Sequence, residues 1–194
     1  PGPVACALMA VERWMYERLR QGENIDDVCA RILKRGESTA FLGLLWEVAR
    51  FEPKLLKGPL RPLLSCPEMH EWEIEALTQG AHRMGLIADY LHPEETQNKI
   101  RKWEEMEHRT KHITEVAIRL FLFEEPMAGF FEQTRDYWQG RVGGFVEGSP
   151  LRNYTGTLLA QFDRSNWRTI KDKNGVPARV YVPPPELRER AREA

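Results

Sequence analysis

Apolar residues recur along most of this chain with helical spacing, and glycine, proline and asparagine punctuate them. Val4, Leu8, Val11, Met15 and Leu19 share one helical face, with Glu12, Arg13, Glu17 and Arg18 largely opposite, and Gly22 supplies the stop. Asn24 is placed to cap a second helix whose apolar face is Ile25, Val28, Cys29, Ile32 and Leu33, ending at Gly36. Ser38 opens a third, more apolar helix through Phe41, Leu44, Leu45, Trp46 and Val48 to Phe51. Its apolar content marks it as the central one. Gly58 to Leu64 reads as a turn plus a short helix. Pro67 then sits in the first turn of a helix extending to about Gln79. On that helix Glu68, Glu71 and Glu75 fall together, opposite Met69, Trp72 and Ala76.

From Glu94 to about Glu124 there is neither Pro nor Gly, and Ile100, Trp103, Met106, Ile113, Val116, Ala117, Leu120 and Phe123 keep helical spacing. The pattern fits one long helix or two joined near His108 to Thr114. Another helix follows Pro126, then a glycine-rich stretch from Gly140 to Pro150 with the composition of a mobile loop, then a helix from Leu151 to Phe162. The texture changes at Trp167 to Lys171 and Val176 to Val182, two strand-like runs around Asn174-Gly175, a strong hairpin signal. After three prolines, Glu186 to Ala194 is a charged helix with a thin apolar stripe.

These patterns predict a mainly α fold of stacked antiparallel helical hairpins, with solenoid-like stacking as a variant, and a small C-terminal β-hairpin. The expected organisation is a helical domain over residues 1–165, the hairpin over 166–183, and a projecting charged helix over 184–194 that continues in a longer parent protein. The opening Pro1-Gly2-Pro3 and the open-ended final helix support reading the chain as part of a larger one.

Composition narrows the class. The chain has 194 residues, 42% of them hydrophobic, which is too apolar for a disordered segment. A formal net charge of −1 removes the simplest electrostatic case for a nucleic-acid or anionic-membrane binder. No apolar run suits a membrane span, and no secretory signal pattern opens the chain. Cys6, Cys29 and Cys66 form no Cys-x-x-Cys pair and read as reduced, mostly buried thiols of a cytoplasmic protein.

Candidate chemistry is sparse. His108 and His112, one helical turn apart, with Glu105 completing a Glu-x-x-His pair, make a metal site the sharpest chemical hypothesis. Against it, Arg109 stands where a zincin has glutamate, and the chain has no second Glu-x-x-His. Packing histidines are the simpler reading. The Glu68, Glu71 and Glu75 cluster suits acid and base work only if burial separates the pKa values, and otherwise is a solvated face. No phosphate-binding glycine motif and no nucleophile elbow occur. Thus no catalytic residue and no cofactor is assigned.

Aromatic and basic residues mingle at Arg101-Lys102-Trp103, Arg135 to Arg141 and Trp167-Arg168. They suit base stacking if exposed on a positive surface. They also suit protein interfaces, where Trp, Tyr and Arg dominate.

Gly58-Pro59-Leu60-Arg61-Pro62-Leu63-Leu64 and Phe162-Asp163-Arg164-Ser165-Asn166-Trp167 resemble segments of the helical region that follows the ATPase module in large bacterial STAND-type (NACHT-like) proteins. The resemblance covers parts of the chain and transfers no site residue. It implies a helical segment that senses a ligand or partner, or holds the ATPase closed, while a separate module binds nucleotide. The expectation is therefore a non-catalytic protein-interaction or sensor segment of a larger cytoplasmic protein, its partner a protein or a neighbouring domain of the parent chain. The alternatives are a helical metal- or nucleic-acid-dependent enzyme fragment using His108, His112 and Glu105, and a nucleic-acid binder using Arg101, Lys102 and Arg109.

Overall fold

A computed structural model describes residues 3–75, 94–171 and 173–193. The fold is mainly α with a two-stranded antiparallel sheet near the C-terminus. The chain divides into two compact units, Pro1–Val116 and Ala117–Ala194.

In the first unit, α1 (Pro3–Arg20), α2 (Asp26–Arg35) and α3 (Thr39–Phe51) follow one another with short connections. Gly22 leaves α1 at φ 76°, the left-handed conformation that glycine adopts without steric cost. Asn24 does not cap α2 from the N-cap position. Its Oδ1 instead accepts from the Asp26 N–H at 2.7 Å, one residue upstream of the cap. Asp26 and Asp27 in the first turn of α2, and Lys34 and Arg35 in the last, match the helix dipole. Ser38 does cap α3, accepting from the Ala40 N–H at 3.3 Å.

Helix α3 is the hub that the pattern expects. It packs against α1, α2, the 3-10 turn Pro53–Lys57 and the 3-10 turn Glu107–Thr110. Leu44, Leu45, Trp46, Val48 and Ala49 are all buried on it. Two successive 3-10 turns, Pro53–Lys57 and Arg61–Ser65, bury Leu55, Leu56, Leu60, Leu63 and Leu64. The first of these turns packs on α3 and the second packs on the first, so the buried leucines extend the core away from α3. Next, α4 is helical over residues 67–75, and its expected end near Gln79 lies outside the described residues.

The remainder of the unit bears out one expectation and corrects another. The stretch from Glu94 to Glu124 is two helices joined near His108 to Thr114, not one long helix. It is α5 (Glu94–Glu104), the 3-10 turn Glu107–Thr110 and α6 (Ile113–Phe123), whose last residues enter the second unit. The buried side of α1 is rotated from the apolar stripe. Glu12, Met15 and Tyr16 are buried, whereas Val4 and Val11 are exposed. A polar network draws Glu12 and Tyr16 inward, and that outweighs the hydrophobic pattern of the helix.

In the second unit, α7 (Ala128–Val142) packs on α8 (Pro150–Gln161) around stacked aromatics. Phe131 and Phe162 stack at 5.0 Å, with Phe121 and Trp138 edge-on to Phe162. Helix α7 runs through Gly140, so the glycine-rich loop starts only at Gly143. Ser149 caps α8 and Pro150 occupies its first turn.

Strands β1 (Trp167–Lys171) and β2 (Pro177–Tyr181) pair with Trp167 opposite Tyr181 and Lys171 opposite Pro177. Gly175, at φ 79°, turns between them. Each residue of the Phe162 to Trp167 segment has a fastening role. Phe162 fills the core, Asp163 Oδ1 accepts from the Ser165 N–H at 2.9 Å, and Arg164 donates to the Phe121 carbonyl at 2.9 Å. Asn166 and Trp167 donate to the carbonyls of Ala160 and Gln161 at the end of α8, at 2.9 and 2.7 Å. The segment clamps the hairpin to α8. Helix α9 (Pro185–Glu193) closes the described chain.

Candidate functional site

Over its described residues helix α4 buries charged and polar side chains beside Met69. Glu73 is 2% exposed and His70 fully buried, while Trp72, expected inside, is 44% exposed. Glu73 turns inward because its carboxylate accepts five hydrogen bonds. Arg50 of α3 bonds Oε1 through Nη2 at 3.1 Å and Nε at 3.3 Å. The Ile113 N–H donates to Oε1 at 2.7 Å, and the Thr114 N–H and hydroxyl donate to Oε2 at 3.2 and 3.1 Å. Glu73 therefore caps the start of α6 from another helix, satisfying two backbone donors that have no partner within α6.

From Arg50 the network continues outward. Arg50 donates to Glu47 Oε1 at 3.0 Å, and Glu47 Oε2 lies 3.5 Å from Arg109. Arg109 bonds Glu12 on α1, which also accepts from the Tyr16 hydroxyl. Because Tyr16 gives its proton to Glu12, its oxygen accepts from His108 Nε2 at 3.1 Å, which fixes the His108 tautomer. At the other end His70 Nε2 donates to the Leu64 carbonyl at 3.1 Å, and Nδ1 lies 2.9 Å from the Thr114 hydroxyl. The single Thr114 hydroxyl proton thus faces two acceptors, neutral His70 and Glu73.

One connected polar chain therefore crosses the unit from His108 to His70 through α1, α3, α4 and α6. Its three carboxylates, Glu12, Glu47 and Glu73, meet two guanidiniums, Arg50 and Arg109. Burial lifts Glu12 above the ordinary carboxylate range, against the pull of Tyr16 and Arg109 and with the help of Glu47. Burial likewise raises Tyr16, together with the Glu12 charge. Burial and then the nearby Arg109, Lys111, Arg20 and Arg50 push His108 down to about 4. Burial also lowers His70, despite its bond to Leu64 and the Glu73 charge. Both histidines are neutral near pH 7.

Arg109 links this interior to the surface. Its guanidinium lies 5.0 Å from the Trp103 ring, and Tyr16 lies 5.8 Å from the same ring. Trp103 lines a groove of about 520 Å³ between α1 and α5, together with Met9, Ala10, Arg13, Lys99, Lys102 and Met106. The lining is largely apolar, and the three cations stand at its rim. Arg13 pairs with Glu17 at 3.0 Å and Lys99 with Glu95 at 2.6 Å, whereas Lys102 has no acidic partner among the described residues.

The residues singled out from sequence fall as follows. His108 is buried in the polar chain, His112 is half-buried at the start of α6, and Glu105 is exposed beyond the end of α5. The break between α5 and α6 means that the two histidines do not share a helix face. Among the described residues no group of three or more His, Cys, Asp or Glu side chains is placed to hold a metal ion. Glu71, raised by burial and then by Glu75 and Glu68, is half-buried, and Glu75 is exposed. Arg101 and Lys102 are exposed, but Arg109 is held by Glu12 and Glu47, so it is not free to meet a phosphate backbone.

Of the thiols, Cys29 is buried and burial pushes it up to about 12, Cys66 is half-buried, and Cys6 is exposed rather than buried. All three are free. Among the described residues no helix is long and apolar enough to cross a membrane. No family model, curated protein or solved structure matches the chain.

Proposed function

We propose that this chain is a non-catalytic interaction or sensor segment of a larger cytoplasmic protein, as its resemblance to the helical region of STAND-type proteins implies. The observation that carries the reading is the shared position of Trp103. One residue lines the surface groove and also packs against Arg109 and Tyr16, two members of the buried chain. A partner seated in the groove changes the surroundings of Arg109, and Arg109 is tied to α1 and α3 through Glu12 and Glu47. The chain runs on through Arg50 and Glu73 to the start of α6, the helix that leads into the second unit. Binding at one face thereby acquires a route to another helix, which is what a sensing segment requires.

The test is affinity capture from an extract of the source cells by the tagged chain and by its Ala10→Glu, Lys102→Glu variant. Both positions are exposed, so the variant keeps its fold, which circular dichroism verifies. A partner retained by the native chain and lost by the variant supports the reading. Equal capture by both, or turnover of a substrate by the native chain, contradicts it.

A further inference from the structure

The groove between α1 and α5 combines three features that together define a ligand class. The first is its size. About 520 Å³ lies inside the ~300–1,000 Å³ range of small-molecule sites. Its lining on α5 extends from Lys99 to Trp103, roughly 6 Å at the helical rise per residue, and Met106 beyond the helix end lengthens it, which suits one extended chain.

The second is the lining. Met9 and Met106 are half-buried, unbranched and polarisable, and Trp103 offers a ring already held in place by Tyr16 and Arg109. Methionines of this kind adapt to a flexible aliphatic body, and the fixed ring supplies contact area at little entropic cost. Ala10 is small and exposed, so its own side chain leaves that wall open.

The third is charge. Glu17 offsets Arg13 and Glu95 offsets Lys99 at the rim, which leaves the charge of Lys102 uncompensated among the described residues. A groove that is apolar inside and carries one net positive charge at its edge complements a molecule with an apolar body and a single negative head.

We infer that the groove binds a single-chain aliphatic carboxylate, with the chain laid against Met9, Trp103 and Met106 and the carboxylate at Lys102. This rests on the sensor reading above and names its ligand. The cation favours the carboxylate over a neutral or cationic head on the same chain, and the paired Arg13 and Lys99 exclude a second acidic group only weakly. Specificity therefore lies in charge sign more than in chain length.

Isothermal titration of the full chain with decanoate, decanol and decyltrimethylammonium tests the inference. Saturable binding of decanoate is expected at one per chain, with the alcohol and the ammonium compound each at least about tenfold weaker, the equivalent of one charge-assisted contact. Lys102→Gln should bring decanoate close to decanol, and Ala10→Leu should weaken all three by filling the groove. No saturable binding of decanoate up to about 1 mM, or equal binding of the three compounds, overturns the inference. Should decanoate fail while the Ala10→Glu, Lys102→Glu variant still loses its captured partner, the ligand assignment falls and the sensor reading stands. If instead decanoate binds and capture is the same for both chains, the ligand stands and the protein-partner reading falls.

Discussion

Glu73 of α4 accepts the Ile113 N–H at 2.7 Å while Arg50 of α3 bonds the same oxygen at 3.1 Å, so one buried carboxylate holds three helices at a point. Removing it leaves Arg50 charged in the interior and exposes the start of α6 without a cap. Glu73→Ala should destabilise the chain by about 3–5 kcal/mol, the usual cost of stripping one partner from a buried ion pair. Glu73→Gln retains the shape and should cost less. A double change, Arg50→Met with Glu73→Leu, should recover much of the loss, because neither charge then remains buried. Urea unfolding of the three variants measures the order. Equal stability of native and Glu73→Ala protein would show that the carboxylate contributes nothing.

Acid should weaken the first unit through its histidines. His108, near 6.5 when unfolded and held down to about 4 when folded, takes up a proton on unfolding anywhere between those values. Unfolding is therefore favoured as pH falls from 6.5 towards 4, and stability rises with pH across the same window. Buried His70 acts in the same direction. Glu12 opposes both, since its raised pKa lets the folded chain hold a proton that the unfolded chain has lost, above the ordinary value of 4.5. His108→Gln should flatten the dependence of unfolding free energy on pH between 4 and 6.5, by up to one proton's worth of slope. Glu12→Gln should steepen it. Denaturant midpoints taken across that window provide the comparison, and an unchanged slope in His108→Gln would refute the assignment.

Tyr181 presents the converse case. Its hydroxyl is buried without a hydrogen-bond partner, and burial raises its pKa. Tyr181→Phe should keep the packing against Trp167 and gain about 1 kcal/mol by removing an unsatisfied polar group. Thermal unfolding read at the second unit checks this, and a loss of stability would mean that the hydroxyl has an unseen role.

Local chemistry made much of the fold legible. Ser38 before an apolar run, Gly22 after one, and Asn174-Gly175 between strand-like runs each act within a few residues, and each sits where the pattern places it. What stayed hidden depends on partners far along the chain. Nothing near Glu73 announces that its donors are Arg50 and Thr114, so the pattern places Trp72 inside instead. The same holds for Glu12, which faces inward only because Arg109 waits there. The spacing of His108 and His112 misleads because a helix break intervenes, and a 3-10 turn between Glu107 and Thr110 leaves no distinct periodic signature. The groove is similarly non-local, assembled from α1 and α5, and of the Arg101-Lys102-Trp103 cluster only Lys102 and Trp103 line it.

Sensing through Trp103 is most directly tested by amide hydrogen exchange on the full chain, alone and bound to the partner recovered by capture. The account predicts protection over residues 9–13 and 99–106, where the groove lies, together with slower exchange at Ile113 and Thr114, whose N–H groups end the buried chain on Glu73. Protection confined to the hairpin or to α7, with Ile113 and Thr114 unchanged, would contradict it.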